Sequence, residues 1–430
     1  MATKMKSNAC CTATVLLMCF AVGVVSAEGK QDPLYKSDYG DVPRFGGPGS
    51  VGGTLEEDDR EEGYRFTGLQ RGLKTYFDWK AGINEKHGLA FSFDYTGLYQ
   101  GASESAGSED DAAGGIFRFF GSWTVLNRGG GSPGSIVYKV ENRHRLGSGI
   151  APQGLGFEIG YAGLTAAPFS DIDLALTNLY WQQKLNDGRV AFNLGVVDAT
   201  DYVNVYGMVN PWTSFSNLAF LTDATIPAPN QGLGAVLGLM ATDNIYIVAG
   251  LADTNGDPTS PEDFFSSFFD DAEYFKHIEV GWTPSQDRIY LDNVHLTYWH
   301  ADERGAAGVP DGWGVGFSAT KFIDDTWMPF LRAGYAEDGG ALWERSLGIG
   351  LGRYLSGRKD LAGIGLNWSR PSETGVGPGL DDQYTIEAFY RLQLSQNFAI
   401  TPDVQLLIDP ALNPQEDRLW VLGLRGRLTL

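Results

Sequence analysis

Past residue 27 the chain has no cysteine: Cys10, Cys11 and Cys19 are the only three, and all lie in the first segment. Disulfides are thereby excluded from the rest, although exported chains commonly rely on them. No stretch beyond residue 27 offers the ~20 consecutive apolar residues of a membrane helix, and the mean hydropathy is −0.17. A helical membrane protein is excluded. Basic residues are scarce, 32 Lys and Arg against 53 Asp and Glu, for a net charge of −21, which excludes a nucleic-acid-binding surface. Signatures of chemistry are missing too. There is no Gly-x-Ser-x-Gly, and His87, His144, His277, His295 and His300 have no zinc-like spacing. The turn NRGGGSPG at 127–134 lacks the lysine of a phosphate loop. Carboxylates are plentiful, yet no pair is set apart as in a glycosidase. No cofactor, no metal and no enzymatic activity are expected.

What is present points to export. Residues 1–27 read as a signal peptide: Lys4 and Lys6, an apolar run from Ala13 to Val25, then Val25-Ser26-Ala27 as a small-residue cleavage site. Residues 28–63 form an acidic, Gly/Pro-rich segment expected to be flexible, and LEEDDREEG at 55–63 reads as solvated tail. The remainder, 64–430, is expected to be one domain, with helical character over Thr67–Asn84 and strands from 88 onward. Glycine is abundant, 57 residues where ~7% of the chain is usual. With 13% aromatics, that suits many tight turns and an aromatic girdle at a membrane interface.

The final stretch, LWVLGLRGRLTL (419–430), alternates. Trp420, Leu422, Leu424, Leu428 and Leu430 fall on one face and Arg425, Arg427 and Thr429 on the other. A period of two means a strand with one apolar and one polar face. The pattern recurs. Phe91, Phe93 and Tyr95 alternate with Ser92, Asp94 and Thr96; Ile136, Tyr138 and Val140 alternate with Lys139, Glu141, Arg143 and Arg145. Sixteen such segments run from 88–100 to 418–430, most near the ~9–11 residues of a tilted membrane strand. Short links such as PSQD (284–287) and IDDT (323–326) alternate with long ones such as 148–173 and 199–230. Short turns at one rim and long loops at the other define an outer-membrane β-barrel, and a charge on its lipid face costs about 2–4 kcal/mol. The expected fold is therefore all-β: a transmembrane antiparallel barrel of about sixteen strands, with short periplasmic turns, long extracellular loops, and its charges in a wet lumen. The two ends of the sheet, 88–100 and 418–430, are expected to pair.

Several segments carry a family resemblance: IAPQGLGFEIGYAGLTAAPFSD (150–171), LTNLYWQQKL (176–185), GVVDATDYVNVYGMVNPW (195–212), IPAPNQGLGA (226–235), MPFLRAGYAEDGGALWERS (328–346), GLNWSRPS (365–372) and YRLQLSQNFAITPDVQLLIDPALNPQ (390–415). Together they resemble the carbohydrate-selective porins of the OprB type, from about Gly63 to Leu430. The resemblance implies a monomeric sixteen-stranded barrel in the bacterial outer membrane that passes sugars by diffusion. Its partners would be sugars as solutes, outer-membrane lipid and lipopolysaccharide, and the barrel-assembly machinery acting through the C-terminal strand.

A sugar offers hydroxyls to charged hydrogen-bond partners and C–H faces to aromatic rings. The inward row Lys139, Glu141, Arg143 and Arg145 is the first candidate constriction, opposed by Asp201, Tyr202, Trp212 and Phe215 of the longest loop, 199–230. Glu387 and Arg391 are further candidates, with Arg425 and Arg427 as additional basic groups near the closure. The competing reading is that the row is a self-neutralising ladder and the rings pack the loop against the wall. For function, the runner-up is a general or anion-preferring porin of the same fold, since luminal arginines suit phosphate and carboxylates. A barrel lipase or protease would need a Ser/His/acid set at the rim.

Overall fold

A computed structural model describes residues 45–59, 66, 68–355 and 360–430. The signal peptide expected at 1–27 lies outside the described residues. Two helices, α1 (Val51–Asp58) and α2 (Gly68–His87), precede sixteen strands. These are β1 (Leu89–Ala102), β2 (Asp111–Leu126), β3 (Gly134–Arg145), β4 (Asp173–Leu185), β5 (Val190–Val197), β6 (Gly232–Met240), β7 (Ile245–Asp253) and β8 (Tyr274–Trp282). The second half comprises β9 (Asn293–Ala301), β10 (Gly312–Thr320), β11 (Trp327–Asp338), β12 (Trp343–Leu355), β13 (Asp360–Pro371), β14 (Gln383–Ser395), β15 (Phe398–Ile408) and β16 (Arg418–Thr429). Each strand pairs antiparallel with its chain neighbours, and β1 pairs with β16 from Asp94↔Thr429 to Ala102↔Val421, closing the barrel.

The alternation read from sequence is the barrel's inside and outside. On β16, Trp420, Leu422 and Leu424 are exposed, while Arg425 and Arg427 are buried in the lumen. Trp123, Trp282, Trp327 and Tyr390 stand outward near the short-turn rim; Tyr99, Trp313, Tyr384 and Trp420 do so near the long-loop rim. Rings with an apolar body and a polar edge sit at both lipid–water boundaries. Among the described residues no helix is long and apolar enough to cross a membrane; the strands cross it. Two short turns show why they are short. Asn186 and Asp187 both take positive φ (52° and 54°), as do Asp324 and Asp325 (49° and 50°), a left-handed backbone that lets a link of three or four residues reverse the chain and that Asn and Asp tolerate.

Two expectations are corrected. The strand expected over 288–300 begins only at Asn293. Ile289 and Leu291, whose alternation resembles a strand, belong to a turn that dips into the barrel mouth, where both are buried. The acidic segment is the larger correction. Residues 45–59, expected to be flexible and solvated, lie inside the lumen. Phe45 packs with Tyr202, Val236, Met240 and Tyr246; Val51 and Leu55 pack with Ala90, Phe120, Val137 and Tyr180. Ser50 caps α1 by accepting from Gly53 N at 3.2 Å, satisfying one of the free amides at its start. Burial of three large apolar side chains, each stabilising by roughly 1.5–3 kcal/mol, outweighs the acidity of Glu56, Glu57, Asp58 and Asp59. In contrast α2 lies outside. Its Trp79 meets the lipid-facing Phe91 edge-on at 6.0 Å, and Lys80 Nζ donates to Leu430 O at 2.9 Å.

Candidate functional site: the luminal constriction

The segment 199–230 leaves β5 and folds into the barrel. Side-chain caps fix its path: Thr200 N donates to Asp198 Oδ1 at 3.0 Å, Ala219 N to Asn217 Oδ1 at 2.9 Å, and Thr225 N to Asp223 Oδ1 at 3.2 Å. Such Asx contacts replace the ladder hydrogen bonds a loop lacks. Wall residues from both sides then hold it. Glu279 of β8 accepts from Asn204 N (3.0 Å), and Arg332 of β11 donates to Thr222 O (2.9 Å) and to Asn204 O (3.0 Å). Glu387 of β14 accepts from Ser216 N (2.6 Å) and Asn217 N (3.0 Å). Arg425 of β16 donates to Pro211 O, Ser214 O and Ser216 Oγ.

The loop's apolar side has its own seat. Tyr206, Met208, Phe215, Phe220 and Leu221 are buried with Met328, Phe330, Leu361 and Phe389. The wall there is shaped by glycine. A Cβ on Gly316 would come within 3.0 Å of Asn204, on Gly334 of Thr225, on Gly352 of Met208, and on Gly365 of Phe220. The glycine content serves this fit as well as the turns. A side chain at any of these four positions would force the loop's own side chains to shift.

On the other half of the circumference the wall is charged. Asp94 (β1) accepts from Arg118 (β2) and from Arg427 Nε (2.9 Å). Arg427 also reaches both Asp58 oxygens at 2.8 Å. On β3, Arg143 Nε donates to Glu141 Oε2 at 2.7 Å; Lys139 Nζ lies 3.9 Å from Glu141 and 4.0 Å from Asp198. The belt alternates in sign from the helix, across the β1–β16 junction, to the start of the loop. Asp201 completes it. Burial, set against the nearby Lys139 and reinforced by Asp198 and Glu141, pushes its carboxyl up to about 7. Trp212 covers Arg118 with its ring centroid 3.7 Å from the guanidinium carbon, a cation–π contact strengthened by desolvation.

The candidates from sequence separate into groups. Lys139, Glu141, Arg143 and Asp201 converge, and Trp212 sits one strand away on Arg118. Arg145 is apart: half exposed at the outer rim, it pairs with Asp171 through Nε at 2.5 Å. Glu387 and Arg391 line the facing wall, one holding loop amides and the other donating to Glu57 Oε1 at 2.6 Å. Tyr202 and Phe215 are corrections to the expected ring platforms. Tyr202 is buried with its hydroxyl on Tyr180 Oη (2.9 Å), and Phe215 is fully buried edge-on to Phe389 at 4.9 Å. Neither offers a face to a solute, because apolar burial is worth more to the loop than exposure.

A second inward segment lies in the 148–173 connection, which offers no site candidate from sequence alone. Tyr161 Oη donates to Asn217 Oδ1 (3.3 Å) and accepts from Thr385 Oγ1 (2.9 Å), while Trp343 Nε1 donates to Ala162 O (2.6 Å). It backs the first loop from the outer side, as Leu218 N donates to Leu164 O at 2.9 Å. Its signal was present: IGYAGLTAAPF (159–169) carries no charge, whereas the other long outer connections carry acidic residues.

A closed sixteen-stranded barrel whose lumen is narrowed by an inward loop and a charged belt defines an outer-membrane diffusion porin. Comparison with known proteins narrows the class. The model of the carbohydrate-selective porin, OprB family, matches residues 68–430. The chain belongs to this family, and it is a porin that passes carbohydrates across the outer membrane. Among solved structures, the high-pH form of Pseudomonas putida OprB superposes with a TM-score of 0.66 at 15% identity, over 86% of this chain and 99% of that one. The low-pH form gives 0.49 at 13% identity, over 86% of this chain and all of the other. A Rh. blastica porin mutant gives 0.48 at 12% identity, over 80% and 100%. A search of curated proteins found no match.

Proposed function

We propose that transport of monosaccharides and small oligosaccharides is passive and saturable, at a weak site between the β3 row and the 199–230 loop. The observation that carries this is the loop bringing Asp198 and Asp201 against Lys139 of the wall. Glu141 and Asp201 are buried and set the charge around the row, so contact with sugar hydroxyls falls to the groups that keep some exposure. Arg143, 13% exposed in its side chain, is the most accessible cation of the inner row. Trp212, buried on Arg118 of the neighbouring strand, holds the wall next to this row in place. A solute so held exchanges water hydrogen bonds for charged ones, which favours entry, while the small number of contacts keeps exit fast. No energy coupling or cofactor enters. Residues 1–27 are proposed to be a cleaved export signal and 64–430 the barrel domain, inserted by the assembly machinery into lipid and lipopolysaccharide.

In planar bilayers, sugar titration of the parent should give saturable current block. Arg143→Ala and Trp212→Ala should each weaken block roughly tenfold, the equivalent of about 1.4 kcal/mol and near the lower edge of a hydrogen bond to a charged group. Parent-like block in both variants would mean that the row is structural only. A linear rise of liposome swelling for every small solute would instead support a general porin.

Asp201 adds a pH dependence. Its carboxyl titrates near 7 in the fold against 3.8 unperturbed, so the folded loop binds a proton that the open loop releases. That contribution to loop closure is complete below about 4 and is lost as pH rises through about 7. Loop-opening flicker in single-channel records should therefore increase between pH 5 and pH 8. Asp201→Asn should flatten that change; an unchanged pH profile in the variant assigns the flicker elsewhere.

A further inference from the structure

The luminal helix α1 places two carboxylates on wall arginines from which the strands alone would leave positive charge. Among the described residues, the only salt bridge of Arg391 is the one to Glu57, at 2.6 Å. Arg427 shares Asp94 with Arg118 and takes Asp58 besides. Within this set of ion pairs, removal of α1 leaves three guanidinium groups, Arg118, Arg391 and Arg427, with the single carboxylate Asp94. With α1, the set is neutral. The helix is also built to stay: Gly47 N donates to Asp201 O (2.8 Å), Asn210 Nδ2 donates to Pro48 O (3.2 Å) and to Glu57 Oε2 (3.1 Å), and Phe45, Val51 and Leu55 are buried against the wall. Glu57, Asp58, Arg391 and Arg427 keep between 6% and 20% of their side chains accessible, so their charge is felt by ions in the lumen.

We propose that α1 is a charge filter: Glu57 and Asp58 cancel the luminal arginines and so make the pore indifferent to anions while it passes neutral sugars. The proposal rests on the carbohydrate reading only for the identity of the cargo. Its physics is independent of that reading. A narrow lumen with low-dielectric walls concentrates counter-ions on any uncancelled charge, and two unpaired guanidinium groups would make phosphate and carboxylate solutes the preferred ones.

The test is the reversal potential of the full-length porin in a potassium chloride gradient at low ionic strength, with glucose block measured alongside. Glu57→Gln combined with Asp58→Asn should raise the chloride-to-potassium permeability ratio about tenfold, the lower end of such focusing. Raising the salt to 1 M, where the screening length falls to about 3 Å, should shrink the effect. Displacement of the helix is separated from charge by a balanced pair. Asp58→Asn alone should shift the potential toward chloride, and Asp58→Asn with Arg427→Gln should bring it back to the parent value. An unchanged potential in the carboxylate variants overturns the proposal, as does a balanced pair that shifts as far as Asp58→Asn alone. A parent without glucose block, combined with a chloride shift in the variants, leaves the filter standing and removes the sugar reading.

Discussion

Replacing Arg425 and Glu387 together by alanine is expected to raise single-channel conductance severalfold and to abolish saturable sugar block. These two side chains hold the middle of the 199–230 loop from adjacent sides. Glu387 accepts from Ser216 N and Asn217 N, and Arg425 donates to Pro211 O, Ser214 O and Ser216 Oγ. Hydrogen bonds to charged groups contribute about 1.5–3 kcal/mol each, so losing several approaches the whole stability of a local closed state. Removing both members also avoids leaving one charge unanswered by the other. The barrel itself should survive, because its strand ladder is untouched, and heat-dependent electrophoretic mobility checks this. A closed barrel with parent conductance and parent block would show that the loop is held by its apolar seat alone and that these residues do not set the constriction.

The second large effect is expected on stability. Arg118→Ala should destabilise the barrel by about 3–5 kcal/mol, the range for breaking a buried pair and stranding its partner. Arg118 is 1% exposed, forks onto Asp94, and is covered by Trp212 on one side while Phe120 lies 5.1 Å away. Its removal leaves Asp94 with Arg427 alone and leaves Trp212 without its platform. Arg118→Lys keeps the charge but neither the fork nor the stacked plane, so it should recover only part of the loss. Urea-dependent unfolding followed by the mobility shift reads both. If lysine restores parent stability in full, charge alone is what the site requires, and the stacking of Trp212 contributes nothing.

How much of this was legible in the chain depends on how local the cause is. The barrel was legible because lipid and water impose opposite demands on neighbouring residues, so Trp420, Leu422 and Leu424 announce their face beside Arg425 and Arg427. Turns such as Asn186-Asp187 were legible for the same reason: the required backbone selects its residues. The Ile289–Leu291 stretch shows the limit, since an apolar alternation facing a plugged mouth reads like one facing lipid. Glu57 and Asp58 lie in an acid run that reads as solvated, and their partners Arg391 and Arg427 are 334 and 369 residues away. The candidate site was legible in composition more than in geometry. Parity put Lys139, Glu141 and Arg143 inside, but it could not say that Phe215 is walled in by Phe220, Phe330 and Phe389, nor that Arg145 lies at the rim.

The charged belt crosses the junction where the sheet closes, and so it bears on assembly. Arg427 meets Asp94 across the β1–β16 pairing and Asp58 from the inserted helix, at sequence separations of 333 and 369. Contacts this remote are costly to close early and form late in folding. A slip of one residue between the final strand and the first would turn every side chain of the final strand over. Arg425 and Arg427 would then face lipid, at about 2–4 kcal/mol for each at mid-bilayer, and Asp58 and Asp94 would lose their partner. The seam thus proofreads its own register: the same arginine that balances the lumen makes the wrong closure the less stable product.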